Sequence, residues 1–520
     1  MKDKVREDMN KPKKWIRSLF KRRVHVMCLL LLQILLIVYL VMSGSNYWWI
    51  NITLTLISLL VALHIVARHD KGAYKLTWVF LILVFPLFGG LLYLLFKFQS
   101  STRRFSKQLD IVNSKTKELY FLPNDNKIKE KEVLEEYSTL INYLQEFAEF
   151  PLYQNTESYF LSSGEEMFKE LLVQLRKAEK YIFLEYFIIK EGLMWNSVLE
   201  ILKEKVSQGV EVRIMYDDVG CFLGLPNNYS DRLEEIGVKC IVFNKFRPFL
   251  TAVQNNRDHR KIAIIDGKVA FTGGINLSDE YINVYERFGH WKDAGIMVKG
   301  KAAWSFTLMF LQMWAICKNE SSNYLEYYPW DSNKCPNKSD GYIQPYADSP
   351  MDKENIGEHV YLHIINNSKR YLYINTPYLI IDDSMVSALK LAAKSGVDVR
   401  ITVPYRWDKR LIHFTTRSYY RDLLKSGVKI YEYSKGFIHS KSFISDDKIA
   451  TIGTTNLDFR SLYLHFECGT CIYDAQCIKD MKKDFEDTLD CCKEITLNDC
   501  KGNLITRFLQ DICRLFAPLM

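Results

Sequence analysis

The alternation of apolar and polar positions divides the chain into two unlike parts. Up to residue 97 it carries three long apolar runs. The first reads "VMCLLLLQILLIVYLVM" from Val26 to Met42, and an uncharged second runs from Trp48 to Ala67. The third, "LTWVFLILVFPLFGGLLYLLF" from Leu76 to Phe96, is interrupted by Pro86, Gly89 and Gly90. A bilayer core takes about 20 apolar residues in a helix, so each run is long enough to be a membrane segment. From about residue 150 the apolar runs shorten and become β-branched, as in "VEVRIMY" (Val210–Tyr216), and read as central strands. Between them lie segments that end in "SQG" (Ser207–Gly209) and "KSG" (Lys394–Gly396), read as helices stopped by glycine. Alternating strands and helices predict an α/β fold with largely parallel sheets covered on both faces.

This soluble part repeats itself. "KAEKYIFLEYFII" (Lys177–Ile189) matches "NSKRYLYINTPYLI" (Asn367–Ile380), and "LKEKVSQGVEVRIMYDD" (Leu202–Asp218) matches "LKLAAKSGVDVRITVPY" (Leu389–Tyr405). "LEEIGVKCIVF" (Leu233–Phe243) matches "LLKSGVKIYEY" (Leu423–Tyr433), in the same order. Two such units predict approximate twofold symmetry, with corresponding residues facing each other. The expected organisation is a basic tail over 1–24, membrane segments over 25–98, a linker over 99–149, repeats over 150–335 and 336–500, and an amphipathic segment over 501–520. That last segment suits either a membrane surface or a place on the catalytic body.

Charge sharpens the picture at the N-terminus. The first 24 residues hold ten Lys/Arg against three acids, so most of the chain's net +8 lies there. The rest is near neutral, which argues against a broad nucleic-acid face. The basic tail and "RHDKGAYK" (Arg68–Lys75) suit the cytoplasmic side. If the third run spans fully, the remainder lies outside. If it folds back at Pro86–Gly90, the remainder lies inside, which Arg103, Arg104, Lys107 and twelve scattered cysteines favour. Cys468 and Cys471 form a CxxC with no second pair, which argues against a zinc site.

The chemistry sits in "HRKIAIIDGKVAFTGGINL" (His259–Leu277) and "HSKSFISDDKIATIGTTNL" (His439–Leu457). His259, Lys261, Asp266, Gly273 and Asn276 recur as His439, Lys441, Asp446, Gly453 and Asn456 at identical offsets. Four such side chains match by chance about once in 160,000 starts. The plain alternative is a pair of structural strands whose His and Lys point outward. An offset of two on a strand places His and Lys on one face, about 6–7 Å apart. An imidazole can attack phosphorus while an ammonium and an amide hold the non-bridging oxygens. With two imidazoles, one serves as nucleophile and the other protonates the leaving oxygen. No acidic cluster accompanies them, so the expected phosphoryl chemistry needs neither metal nor cofactor. Asp266 and Asp446 stand at turns, too far along the strand to touch the ring, and are expected to be structural. The carboxylate orienting an imidazole is expected from Glu467 or Asp293, which align between "LHFECGTCI" and "HWKDAGIMV".

These paired motifs resemble the phospholipase D superfamily, whose signature is HxKxxxxD followed by a glycine turn and Asn. "TPYLIIDD", "GTTNLDFRSLYLHFE", the N-terminal apolar region and the tail "RFLQDICRLFAPLM" narrow the resemblance to bacterial cardiolipin synthases. The resemblance implies tandem phospholipase D-like α/β repeats behind N-terminal transmembrane helices, and a catalytic set of His259, Lys261, Asp266, His439, Lys441 and Asp446. It implies condensation of two phosphatidylglycerol molecules into cardiolipin and glycerol, with His259 as nucleophile, His439 as acid and base, and membrane lipids as partners. Competing readings are a phospholipase D-type hydrolase, a nucleic-acid phosphodiesterase and a non-catalytic membrane scaffold. The membrane segments argue against the nuclease, and the intact motifs against the scaffold. "FNKFRPFL" (Phe243–Leu250) is expected either to touch headgroups or to be a packed loop.

Overall fold

A computed structural model describes residues 48–69, 71–85, 100–122, 136–154, 156–245, 255–319, 323–330, 341–351 and 354–520, with scattered positions before 48 and between 89 and 100. The basic tail, most of the first apolar run, Pro86 and the loop from Phe246 lie outside the described residues. The chain divides into two compact units. One comprises residues 1–103 with 246–255, and the other nearly all the rest.

In the first unit α1 (Trp48–Ala67) and α2 (Gly72–Val84) form a helical pair. Their small core holds Ile65, Ile82 and Tyr93. Gly89 and Tyr93 lie back alongside α2. A Cβ at Gly89 would stand 2.6 Å from the Leu81 carbonyl oxygen, so only glycine fits there. Farther on, Tyr93 packs edge-on against Trp78 at 5.6 Å and accepts a hydrogen bond from Arg68 at 3.3 Å. Leu60, Leu63 and Val66 of α1 are exposed. Counted over the residues whose side chains are described, no helix is long and apolar enough to cross a membrane, so the expected spans are not established.

The second unit contains two sheets of matching topology. The first half supplies β1 (Thr156–Leu161), β2 (Tyr181–Tyr186), β3 (Glu211–Asp217), β4 (Lys239–Phe243), β5 (Arg257–Asp258), β6 (Lys261–Ile265), β7 (Val269–Gly273), β8 (His290–Lys292) and β9 (Gly295–Gly300). The second half supplies β10 (Tyr342–Asp348), β11 (Tyr371–Asn375), β12 (Leu379–Ile380), β13 (Asp398–Pro404), β14 (Lys429–Tyr433), β15 (Gly436–Ile438), β16 (Ser442–Ser445), β17 (Ile449–Gly453), β18 (Leu457–Asp458), β19 (His465–Tyr473) and β20 (Cys492–Ile495). One sheet runs β1-β9-β7-β6-β2-β3-β4 and the other β10-β19-β17-β16-β11-β13-β14-β20. Strand for strand the orders correspond, β20 being an addition.

The sheets are less parallel than expected. Along the main path of each sheet β2·β3 and β3·β4, and their counterparts β11·β13 and β13·β14, are the parallel pairs among the described residues, and the short pairs β5·β19, β8·β15 and β12·β18 are parallel beside them. The motif strands β6 and β16 run antiparallel to β2 and β11. The cause is local. Asp266 and Gly267, like Asp446 and Asp447, adopt positive φ and close tight hairpins into β7 and β17, with the Lys268 N–H on the Ile265 carbonyl and the Lys448 N–H on the Ser445 carbonyl at 3.0 Å. Helices follow their sequence signals more closely. The helix Leu193–Ser207 stops at Gly209 with φ +86°, and Asp383–Lys394 stops at Gly396 with φ +96°. The C-terminal helix Leu504–Leu515 packs on the helix Arg410–Leu424, with Arg514 bonded to Asp422 at 3.1 Å and stacked on Tyr419. Its Leu504, Ile505 and Phe508 remain exposed.

Candidate active site

Each motif histidine begins where a short strand crosses to the other half. β5, which leads to His259, pairs with the start of β19, and the His259 N–H donates to the Phe466 carbonyl at 3.0 Å. β15, which leads to His439, pairs with β8, and the His439 N–H donates to the Lys292 carbonyl at 2.7 Å. Each histidine is thereby carried to the carboxylate of the opposite repeat. His259 Nδ1 bonds Glu467 at 2.9 and 3.0 Å, and His439 Nδ1 bonds Asp293 at 2.7 Å. Both carboxylates are fully buried, and both rings are 7% exposed. With Nδ1–H donated to a carboxylate, each ring keeps its Nε2 for a reacting group.

The environment holds the two rings in one electrostatic field. Burial pushes the His259 imidazole well below its ordinary value, and Lys261, Lys441 and His439 add to the shift. Burial likewise lowers His439, to about 4, with Lys441 and Lys261 assisting and Asp293 opposing. Each lysine thus acts on both rings, as expected of a single shared site. Lys261 and Lys441 are themselves lowered by burial, to about 8 and about 7. Each donates to the carbonyl of its own histidine, at 2.6 Å for Lys261, which leaves two protons on each ammonium. Burial works to raise Asp293, but His439 and Lys441 outweigh it and hold the carboxyl below its usual range.

The remaining expected site residues fall in different places. Asp266 accepts backbone N–H groups of Glu179, Lys180 and Tyr181 at 2.7–2.8 Å, and Asp446 those of Lys369, Arg370 and Tyr371 at 2.7–3.0 Å. Both lie at the far end of β6 and β16 from the histidines, so they frame the strand and drop out of the reacting set. Asn276 Oδ1 accepts from the Ile188 N–H at 2.9 Å, and its Nδ2 donates to the Tyr281 hydroxyl at 2.7 Å. It positions Tyr281, whose ring lies 5.7 Å from His439. Asn456 is buried, with an Oδ1 that has no partner among the described residues.

Several neighbours escape sequence reasoning. The Thr454 hydroxyl donates to Glu467 at 2.5 Å. The His465 Nδ1 lies 3.6 Å from the same carboxylate, and its ring 5.3 Å from His259. Phe187 closes on His259 at 5.0 Å. On the other side Trp291 lies 5.0 Å from His439, with its Nε1 3.3 Å from Asp293. The alignment of "HWKD" with "LHFE" was the only signal for Trp291 and His465. His259, His465 and Glu467 bring three potential ligand atoms within 4.8 Å, so a divalent cation there would compete with the His259–Glu467 bond.

Comparison with known proteins agrees with this arrangement. A family model described as cardiolipin synthase, PLD-like domain matches residues 171–314 and 361–489, and one described as phospholipase D-nuclease N-terminal matches 55–97. A cardiolipin synthase of Halalkalibacterium halodurans is 34% identical over 96% of this chain and 100% of its own. One of Alkalihalophilus pseudofirmus is 33% identical over 91% of this chain and 94% of its own. An uncharacterised protein of Streptococcus mutans is 45% identical over 86% of this chain and 96% of its own. The crystal structure of phosphatidylserine synthase from Haemophilus influenzae superposes with a TM-score of 0.54 at 16% identity, covering 71% of this chain and 95% of that one, a likeness of fold. Two crossed histidine–carboxylate pairs on tandem repeats, with relatives matching nearly end to end, establish that the chain belongs to the cardiolipin synthase, PLD-like domain family of phospholipase D superfamily enzymes.

Proposed function

We propose that this chain transfers a phosphatidyl group from one phosphatidylglycerol to another, forming cardiolipin and releasing glycerol. The carrying observation is the crossed pairing of His259 with Glu467 and His439 with Asp293. It supports one site with two differently supported imidazoles. His259 Nε2 attacks phosphorus, the bond from phosphorus to the headgroup glycerol oxygen breaks, and protonated His439 gives its proton to that oxygen. Glycerol leaves. Neutral His439 then takes the proton from the terminal hydroxyl of the second lipid, whose oxygen displaces His259 from phosphorus. Lys261 and Lys441 hold the non-bridging oxygens. The phosphodiester's negative charge offsets the lysines that depress His439, which favours the proton it needs.

Membrane attachment is part of the same reading. It is supported by the match of residues 55–97 to the N-terminal family and by the exposed apolar side chains of α1. The return of Tyr93 to Arg68 supports a re-entrant third run, which leaves later residues on the side of the 68–75 loop, the cytoplasmic one.

Purified full chain incubated with phosphatidylglycerol and chelator tests the reaction. Cardiolipin with equimolar glycerol is expected. Phosphatidic acid alone would make the chain a hydrolase, and oligonucleotide cleavage without lipid turnover would overturn both lipid readings. An alkaline quench should preserve a phosphatidyl adduct on His259, visible by intact mass.

A further inference from the structure

A second feature lies beside the His439 half of the site. Where β13 ends, the turn from Tyr405 leads into the helix Arg410–Leu424 and borders an open cleft of about 870 Å³. Arg287, Arg406, Arg410 and Arg417 line it, together with Trp407 and Phe414. Arg417 has Glu432 at 3.4 Å. The other three have no carboxylate within salt-bridge distance among the described residues. Trp407 is 51% exposed. Four permanent charges on apolar, aromatic walls suit neither water nor a purely apolar guest. They suit an amphiphile with an anionic head, because guanidinium groups bind phosphate oxygens in pairs while Trp and Phe receive the first chain carbons. The volume fits a headgroup with the start of its chains.

The cleft adjoins the chemistry. Phe288 on its wall packs against Trp291 and Phe437 at 6.4 and 6.0 Å, and those rings lie 5.0 and 6.0 Å from His439. Arg406 reaches over Gly289, where a Cβ would stand 3.1 Å from the guanidinium. Phe288, and behind it Trp291 with Phe437, therefore lie between the cleft and the imidazole assigned to handle the second lipid's proton. We propose that this cleft binds the phosphodiester head and upper chains of an anionic glycerophospholipid, and seats the acceptor lipid beside His439. The acceptor role rests on the function proposed above, whereas the binding site does not.

Full-length protein in neutral detergent, titrated with phosphatidylglycerol brominated in its acyl chains, tests the binding. Quenching by the bromines should include a component from Trp407 that is absent in Trp407→Phe. The double variant Arg406→Gln/Arg410→Gln, altered at exposed positions, should bind about tenfold more weakly or worse. His259→Ala should bind normally. Equal quenching by brominated phosphatidylcholine, displacement by inorganic phosphate or an oligonucleotide, or unchanged binding by the double variant would overturn the site. In turnover the double variant should raise KM for phosphatidylglycerol with kcat and the yield of trapped adduct retained. An unchanged KM would refute the acceptor role. If wild-type protein made no cardiolipin, the proposed function would fall while the quenching result still decided the cleft.

Discussion

His259 and His439 enter the site by the same sequence pattern and the same strand geometry, yet they are supported differently. Glu467 is shared, receiving His259, the Thr454 hydroxyl and the approach of His465. Asp293 serves one imidazole, with Trp291 Nε1 and the Ala294 N–H as its other donors. The leading influences on His259 all push its proton off, whereas Asp293 pulls His439 back up against burial. A nucleophile needs a free lone pair and an acid needs a proton it can keep. Duplication gave two rings in matching positions with unlike neighbours, and that difference is what the proposed division into nucleophile and acid rests on.

The largest effects should come from removing either ring. His259→Ala and His439→Ala are each expected to lose about 10⁴-fold in kcat, and the double variant to be little worse, because the rings act as a unit. A single variant retaining near-normal cardiolipin formation would break the comparison outright. The two should differ in what they trap. His439→Ala should still form adduct from a lipid with a good leaving group, such as p-nitrophenyl phosphatidate, and His259→Ala should not. Next come the carboxylates. Asp293→Asn and Glu467→Gln should each cost about 10²–10³-fold, since they leave an imidazole without its orienting acceptor. Only Asp293→Asn should recover appreciably on a substrate whose leaving group needs no proton.

Much of this was legible in the sequence because it is local. The duplicated His, Lys, Asp and Asn offsets, the glycine helix stops and the hairpin turns at Asp266 and Asp446 are written within a few residues of one another. Crossing was not legible. No pattern within β5 or β15 says that each pairs with the other repeat, because strand partners are chosen by the packed body. The antiparallel bulk of the sheets was missed for a related reason. Buried β-branched runs look alike in parallel and antiparallel sheets, and a tight turn at Asp266 or Asp446 says that two neighbouring strands pair antiparallel without saying how they run against β2 or β11. The spacing of Asn276 points to the substrate, and it carries no signal for the partners its buried amide takes within the fold, the Ile188 N–H and the Tyr281 hydroxyl.

A smaller pair of substitutions sharpens the comparison. Gly274 and Thr454 occupy equivalent positions after the turn glycine. A Cβ at Gly274 would stand 2.0 Å from Asp293 Oδ1, so Gly274→Ala must displace the carboxylate from His439. Turnover should fall about 10²-fold with the fold intact. Thr454→Ala removes a hydroxyl that donates to Glu467 and accepts from the Cys468 N–H at 3.0 Å, but Glu467 keeps His259, and turnover should fall about three- to tenfold. Equal effects would mean that the two carboxylates are not held differently.

The mildest test reads stability against pH. Burial lowers His439 to about 4 and His465 to about 3, and both rings are neutral in the folded protein at pH 7. An unfolded histidine binds its proton near pH 6.5. Between that value and the folded one, the unfolded chain holds the extra proton, so stability falls as the solution is acidified. The loss from His439 should be complete near pH 4, while that from His465 should continue to about pH 3. Melting temperatures measured in detergent from pH 7.5 to 3.5 should therefore drop by several degrees. His439→Gln should flatten the curve only above about pH 4, and His465→Gln should flatten it over the whole acidic limb. A phosphate analogue such as tungstate should lessen the loss in wild type and in His465→Gln, and less so in His439→Gln, where His259 is the one motif ring left to gain from an anion between the lysines. Identical curves for the two variants would show that His439 and His465 titrate together, and that the upward pull of Asp293 on His439 has no measurable effect.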